Sequence, residues 1–160
     1  MSKILILTNH SYMLYRFRTE LIRELMKDHE VVLSMPFVGH EEDFMAMGLK
    51  CIETEVDRRG INPKRDLKLL NFYRKLLKAE KPDMVITYSI KPNIYGGWAC
   101  QLAGSPYCAN VQGLGTAFQK PGLAQKDPLV PGGHGHGCGH NLLGAGSLAA
   151  AVTIKKLIEL

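Results

Sequence analysis

Residues 3–8 read Lys-Ile-Leu-Ile-Leu-Thr, a short apolar run that begins almost at the first residue. An uninterrupted apolar run of this length is typical of a central parallel strand that is buried on both faces. The segment after it carries apolar residues at spacings of three and four, which predicts an amphipathic helix. Those residues are Leu14, Phe17, Leu21, Ile22 and Leu25.

The same alternation of strand and helix continues along the chain. Further strands are predicted at residues 31–35, 49–56, 84–87 and 107–111, and helices at residues 41–47 and 94–102. A longer helix is expected to open at Asn62 and Pro63, because asparagine is a good N-cap and proline suits the first turn. Strands that alternate with helices predict βαβ units. The predicted fold is α/β, a Rossmann-like parallel sheet of about five strands with flanking helices.

Composition and charge narrow the class of protein. The chain has 160 residues, 46% of them hydrophobic, which suits one domain with a real core. Its net charge of +5 is scattered along helices, so we expect no nucleic-acid partner. No run approaches the ~20 apolar residues of a membrane span, and no signal-peptide pattern precedes the first strand. We therefore expect no transmembrane segment, a cytoplasmic location and reduced cysteines.

Ligands of open parallel sheets lie beyond the carboxyl ends of the strands. This rule singles out the loops at residues 9–11, 88–91 and 112–115. Gly113 and Gly115 would let backbone amides approach a ligand closely, although both also suit ordinary turns. Arginines and lysines near these loops, Arg16 and Lys91 among them, could bind phosphate or be plain surface charge.

The character of the chain changes after residue 118. Residues 119–139 are rich in glycine and proline, and residues 142–160 read as a very apolar helix. We expect two segments, residues 1–118 and residues 119–160, packed as one domain. The last helix would close the sheet with one face, and a homodimer could use another face.

Residues 1–118 resemble the amino-terminal domain of retaining, two-domain (GT-B) glycosyltransferases of the type that builds bacterial surface polysaccharides. Four ordered stretches carry the resemblance: residues 9–18, 57–63, 88–96 and 110–118. It implies a lipid-diphosphate-linked sugar acceptor as the partner. The residues it marks for substrate binding are Asn9, His10, Arg16, Lys91, Asn93, Gly113 and Gly115. In that family a second domain holds the sugar donor, so transfer by this chain alone is not expected.

Residues 121–160 resemble a fragment of a different family, the metal-dependent amidohydrolases of the aminobenzoyl-glutamate hydrolase and aminoacylase type. Residues 135–144 carry this resemblance, with the sequence Gly-His-Gly-Cys-Gly-His-Asn-Leu-Leu-Gly. It implies metal ligands at Cys138 and His140, and His136 completes a local set. Sulfur and imidazole at short spacing are ligands that zinc prefers. Weak, adventitious metal affinity of the loop is the preferred interpretation, and zinc is the candidate cofactor if the loop curls around one ion.

Three functions follow from these two resemblances. The preferred one is a chimeric or truncated acceptor-side domain, inactive alone, whose last helix has a structural role. The second is a zinc-binding, amidohydrolase-like module. The third is a glycosyltransferase subunit that acts with a donor-binding partner.

Overall fold

The computed structural model describes residues 1–57 and 62–111 of the chain. The expected closing helix, the boundary at residue 118 and the glycine-rich loop all lie outside these residues. The described residues form five strands: β1 (Ser2–Leu7), β2 (His29–Met35), β3 (Lys50–Glu53), β4 (Met84–Tyr88) and β5 (Tyr107–Asn110). They make one sheet in the order β3-β2-β1-β4-β5, and every neighbouring pair is parallel. The predicted Rossmann-like parallel sheet is confirmed.

Helices connect the strands in the predicted alternation. The described helices are α1 (Ser11–Asp28), α2 (Glu41–Ala46), α3 (Pro63–Glu80) and α4 (Gly97–Ala103), and a π-helical turn (Pro92–Gly96) leads into α4. The predicted cap of α3 is confirmed, because the Asn62 side chain accepts hydrogen bonds from the backbone amides of Lys64 and Arg65. These bonds satisfy amide groups that have no partner within the first turn of a helix.

The core has two layers, one on each face of the sheet. Leu5 and Leu7 of β1 belong to the layer that α3 and α4 cover, with Tyr73 among its members. Ile4 and Ile6 belong to the other layer, which α1 and α2 cover. Successive residues of a strand point to opposite faces, so a strand between two helix layers must be apolar throughout. This requirement explains the uninterrupted run at residues 3–8.

The expected apolar face of α1 was partly wrong. Leu14 and Ile22 are buried, but Phe17 is 59% exposed and Leu21 is 42% exposed. The buried face turns instead toward Ser11, whose hydroxyl oxygen accepts a hydrogen bond from the backbone amide of Val38. The side of α1 that faces the sheet carries Leu14 and Ile22, with Leu25 and Met26 packed beside them, and Ser11 lies on the same side.

Two further expectations about segment boundaries needed correction. β3 ends at Glu53, three residues before the predicted end, because its partner β2 already stops at Met35 before Pro36. The helix expected at residues 94–102 begins earlier, as a π-helical turn that opens at Pro92.

Among residues 1–57 and 62–111, no helix is long and apolar enough to cross a membrane.

Candidate functional site

The strand order reverses between β1 and β4. From β1 the chain builds outward to β2 and β3, and then returns to the other side of β1 with β4 and β5. The connections that leave the carboxyl ends of β1 and β4 therefore diverge to opposite faces of the sheet. In open α/β sheets such a reversal leaves a crevice, which is where ligands bind.

One wall of this crevice is the connection from β1 to α1. The backbone amide of Thr8 donates to the carbonyl oxygen of Ser34, which holds the start of the connection against β2. Asn9 and His10 follow and are partly exposed, and Arg16 lies exposed one turn further into α1. The structure thus places these three predicted site residues at or near the carboxyl edge of the sheet.

The other wall is the connection from β4 into the π-helical turn. Ser89 directly follows β4 and has a φ of 76°, a left-handed conformation that is uncommon outside glycine. Asn93 joins two strands: its amide oxygen accepts from the Thr87 hydroxyl (2.7 Å) and its amide nitrogen donates to the Asn110 carbonyl (3.0 Å). Its side chain therefore fixes the carboxyl ends of β4 and β5 relative to each other.

Lys91 makes a contact that its position in the sequence does not suggest. Its ammonium group lies 2.6 Å from a carboxylate oxygen of Asp66 on α3, and both side chains are nearly buried. Burial raises the pKa of the Tyr95 hydroxyl, and a hydrogen bond with Asp66 raises it further. Asp66 therefore joins the connection after β4 to the amino-terminal turn of α3. Sequence reasoning missed Asp66 and Tyr95, and their positions on a regular helical pattern carried no signal of this role.

A further cation approaches the crevice from α1. The guanidinium carbon of Arg18 lies 5.5 Å from the centre of the Tyr88 ring, at the carboxyl end of β4. A cation over an aromatic ring is attracted by the electron-rich face of that ring. Tyr88 itself is buried, and burial raises the pKa of its hydroxyl. Arg18 thus links α1 to β4 across the position where the strand order reverses.

The remaining predicted site residues lie outside the described part of the chain. These are Gly113, Gly115, His136, Cys138 and His140. Among the described residues, no group of three or more histidine, cysteine, aspartate or glutamate side chains could hold a metal ion.

The parallel sheet with helices on both faces defines the class of protein, a Rossmann-like α/β domain. The chain belongs to the Glycosyl transferase 4-like family, which matches residues 3–131. The glycosyltransferase part of the predicted resemblance is therefore confirmed.

Two curated proteins are similar in sequence to this chain, one over 112 residues and the other over 46. The chain is 31% identical, over 112 residues, to N,N'-diacetylbacillosaminyl-diphospho-undecaprenol alpha-1,3-N-acetylgalactosaminyltransferase of Campylobacter jejuni; the match covers 69% of this chain and 30% of that protein. It is 54% identical, over 46 residues, to a p-aminobenzoyl-glutamate hydrolase subunit of Escherichia coli, with 29% of this chain and 10% of that protein covered. The chain thus spans at most about a third of the length of these relatives.

Solved structures support the fold. The crystal structure of a glycosyltransferase from Rickettsia africae superposes with a TM-score of 0.57 at 18% identity, covering 76% of this chain and 31% of that one. At this identity the likeness shows the shared fold.

Proposed function

We propose that this chain is the acceptor-binding part of a glycosyltransferase whose acceptor is a sugar linked through a diphosphate to a lipid. The observation that carries the proposal is the crevice at the β1–β4 reversal, with Asn9 and His10 on one wall and the 88–93 connection on the other. Family membership supports the reaction class. The Campylobacter relative, by its name, acts on a diphospho-undecaprenol-linked sugar, which supports the acceptor class.

Arg16, which the resemblance marks for substrate binding, is the cation that we propose to hold the diphosphate. It is exposed, lies near the amino-terminal end of α1 and makes none of the ion pairs seen in the described residues. Lys91, by contrast, already neutralises Asp66 at 2.6 Å. Arginine binds phosphate oxygens with two parallel hydrogen bonds, which gives both affinity and orientation.

Titration with an undecaprenyl-diphosphate-linked sugar in detergent micelles tests this function. We expect saturable binding to the unmodified chain, and Arg16→Gln is expected to weaken it by about tenfold, equivalent to about 1.4 kcal/mol. Arg74→Gln is the matched control, because Arg74 is also exposed on a helix but lies about three turns from the amino-terminal end of α3. Binding that is absent, or equally weakened by both variants, would contradict the proposal.

We further propose that the chain does not transfer sugar by itself. In the family it resembles, the donor is bound mainly by a second domain, and this chain spans 30% of its Campylobacter relative. The alternative, a subunit completed by a donor-binding partner chain, is tested by adding such a domain in solution. Transfer by the chain alone would contradict the proposal, and transfer only after the addition would favour the alternative.

A zinc-binding, amidohydrolase-like module is the second candidate function. The 54% identity to the Escherichia coli hydrolase over 46 residues favours it. Cys138, His140 and His136 would supply the ligands, and zinc would be the metal. One equivalent of zinc that survives dialysis and disappears in Cys138→Ala would support this candidate, and zinc that dialyses away would remove it.

For residues 142–160 we propose a structural role within a chimeric or truncated chain. The support is an exposed apolar set on the described part: Ile94, Trp98, Leu102 and Tyr107. Such a set needs an apolar cover, since contiguous exposed patches promote association. A chain shortened to residue 118 is expected to lose solubility, and a second copy could supply the cover as a homodimer. A well-folded, monomeric 118-residue chain would refute this role.

A further inference from the structure

A groove lies at the carboxyl ends of β2 and β3, on the side that α3 covers, and its volume is about 1000 Å³. This volume is at the upper end of the ~300–1,000 Å³ typical of small-molecule sites, so the groove has room for more than one sugar ring. Lys91 connects it to the crevice between β1 and β4, because its partner Asp66 lines the groove.

Two aromatic side chains line the groove. Phe37 follows β2 and Phe72 lies on α3, and both are partly exposed. Val56 and Leu69 extend the apolar surface between the two elements. Pyranose rings have faces of C–H groups, which pack against aromatic rings, so a wall of this kind suits a saccharide.

Among the described residues that line the groove, carboxylates outnumber cations. Of the described lining residues, four are carboxylates and two are cations. The carboxylates are Glu53, Glu55, Asp57 and Asp66, and the cations are Arg65 and Lys68. Three of these carboxylates are paired with cations: Asp57 with Arg65, Glu55 with Lys68 and Asp66 with Lys91. Ionised carboxylates accept hydrogen bonds and donate none, so they suit a ligand that offers many hydroxyl groups.

The ion pairs at the mouth of the groove are loose. Arg65 lies 3.3 Å from Asp57, and Lys68 lies 3.4 Å from Glu55 with both side chains largely exposed. Exposed pairs of this kind contribute little to stability. A ligand that hydrogen-bonds to Asp57 or Glu55 can therefore replace Arg65 or Lys68 with little loss of folding stability.

We propose that this groove binds the neutral saccharide portion of the acceptor, an inference that rests on the proposed function. The aromatic pair packs against the sugar rings, and Glu53 and Glu55 accept hydrogen bonds from their hydroxyl groups. The diphosphate is bound outside the groove, on the side of Arg16. Saccharide and diphosphate are thus recognised at two separate parts of the same edge of the sheet.

Amide chemical shifts of the complete chain, measured while ligands are added, test this assignment. The probes are N,N'-diacetylchitobiose, a neutral disaccharide, and inorganic pyrophosphate. Chitobiose is expected to shift the amides of residues 53–57, and pyrophosphate is expected to leave them unchanged. The double variant Glu53→Gln and Glu55→Gln is expected to weaken chitobiose binding at least about threefold. Phe72→Leu, which keeps an apolar side chain but removes the ring, is expected to do the same.

Glu42→Gln is the matched control, since Glu42 is an exposed carboxylate that does not line the groove. The assignment is overturned if chitobiose shifts no groove amide, if pyrophosphate shifts them, or if the double variant binds chitobiose as the unmodified chain does. Its failure is distinct from failure of the proposed function, because the Arg16→Gln titration reports on the lipid diphosphate and leaves the groove intact.

Discussion

The ammonium group of Lys91 lies 2.6 Å from Oδ1 of Asp66, and the two side chains are only 13% and 10% exposed. The pair joins residues 25 positions apart, one after β4 and one in the first turn of α3. Transfer of two charges out of water is costly, and the pair is tolerated because each charge neutralises the other. It orients the 88–93 connection, which forms one wall of the candidate site.

Asp66→Asn is expected to destabilise the domain strongly. The substitution leaves the buried Lys91 ammonium without its carboxylate, a loss that lowers the free energy of unfolding by about 3–5 kcal/mol. Urea denaturation followed by circular dichroism measures it. Glu55→Gln, which breaks the exposed pair with Lys68, is the control and is expected to leave the midpoint nearly unchanged. Equal midpoints for the two variants would show that the Lys91–Asp66 pair does not stabilise the fold.

Tyr73→Phe is expected to maintain or raise the stability of the domain. The Tyr73 side chain is fully buried, and its hydroxyl has no hydrogen-bond partner among residues 1–57 and 62–111. Removal of an unsatisfied buried hydroxyl relieves a desolvation cost of about 1–3 kcal/mol. Tyr88→Phe is the comparison, because the Tyr88 hydroxyl interacts with Arg18, and we expect that variant to lose stability. A lower urea midpoint for Tyr73→Phe would contradict the expectation.

Protonation of Glu80 is expected to lower the stability of the domain at acid pH. A hydrogen bond from Lys50 is the main cause that holds the pKa of Glu80 below its ordinary value of 4.5, and Lys3 adds to the effect. The folded state therefore takes up this proton less readily than the unfolded state. The resulting stabilisation is present above about pH 4.5 and is lost as the pH falls through the lowered pKa.

Urea unfolding between pH 7 and pH 3 measures this dependence. Glu80→Gln is expected to flatten the decline of the unfolding free energy at the acid end of the range. Glu24→Gln is the control, because the Glu24–Lys27 pair is largely exposed on one helix. An unchanged acid slope in Glu80→Gln would count against the assigned role of Lys50.

Two thiols of the described residues are expected to react slowly with iodoacetamide at pH 8. Burial raises the pKa of Cys51 to about 11, with a contribution from the nearby Glu41 carboxylate, and burial also raises the pKa of Cys100 to about 11. The thiolate is the reactive form, so few of these sulfurs are reactive at this pH. Of the three cysteines in the described residues, Cys108 is the exposed one and is expected to react first. Peptide mass spectrometry resolves the sites, and equal labelling of Cys51 and Cys108 would contradict the prediction.

Local signals in the sequence were sufficient for most of the fold. The apolar run at residues 3–8 predicted a strand buried on both faces, and Leu5 and Ile6 are fully buried on opposite faces of β1. Asn62 and Pro63 predicted the start of α3 because capping depends on neighbours within one turn. The confirmed positions of the strands and the parallel sheet follow from patterns of this short range.

The site could be predicted less completely, because its contacts join distant residues. The resemblance pointed to Lys91 and Asn93, but their partners Asp66 and Asn110 lie 25 and 17 positions away. No periodicity relates such residues, so their contacts depend on which strands become neighbours. Phe17 was expected on the apolar face of α1 but is 59% exposed, because the helix packs on the sheet through the side that carries Leu14 and Ile22.

Residue patterns alone were enough to predict the strands and helices, apart from two boundaries, and the cap of α3. The glycosyltransferase family was predicted from the resemblance of four sequence stretches. Three features could be seen only in the tertiary structure: the strand order β3-β2-β1-β4-β5, the pairing of Lys91 with Asp66, and the groove between β2, β3 and α3. The elements could be predicted from the sequence because propensity, capping and periodicity depend on residues that are close together in the chain. The partner of a buried charge is set by packing between elements that are far apart in the chain.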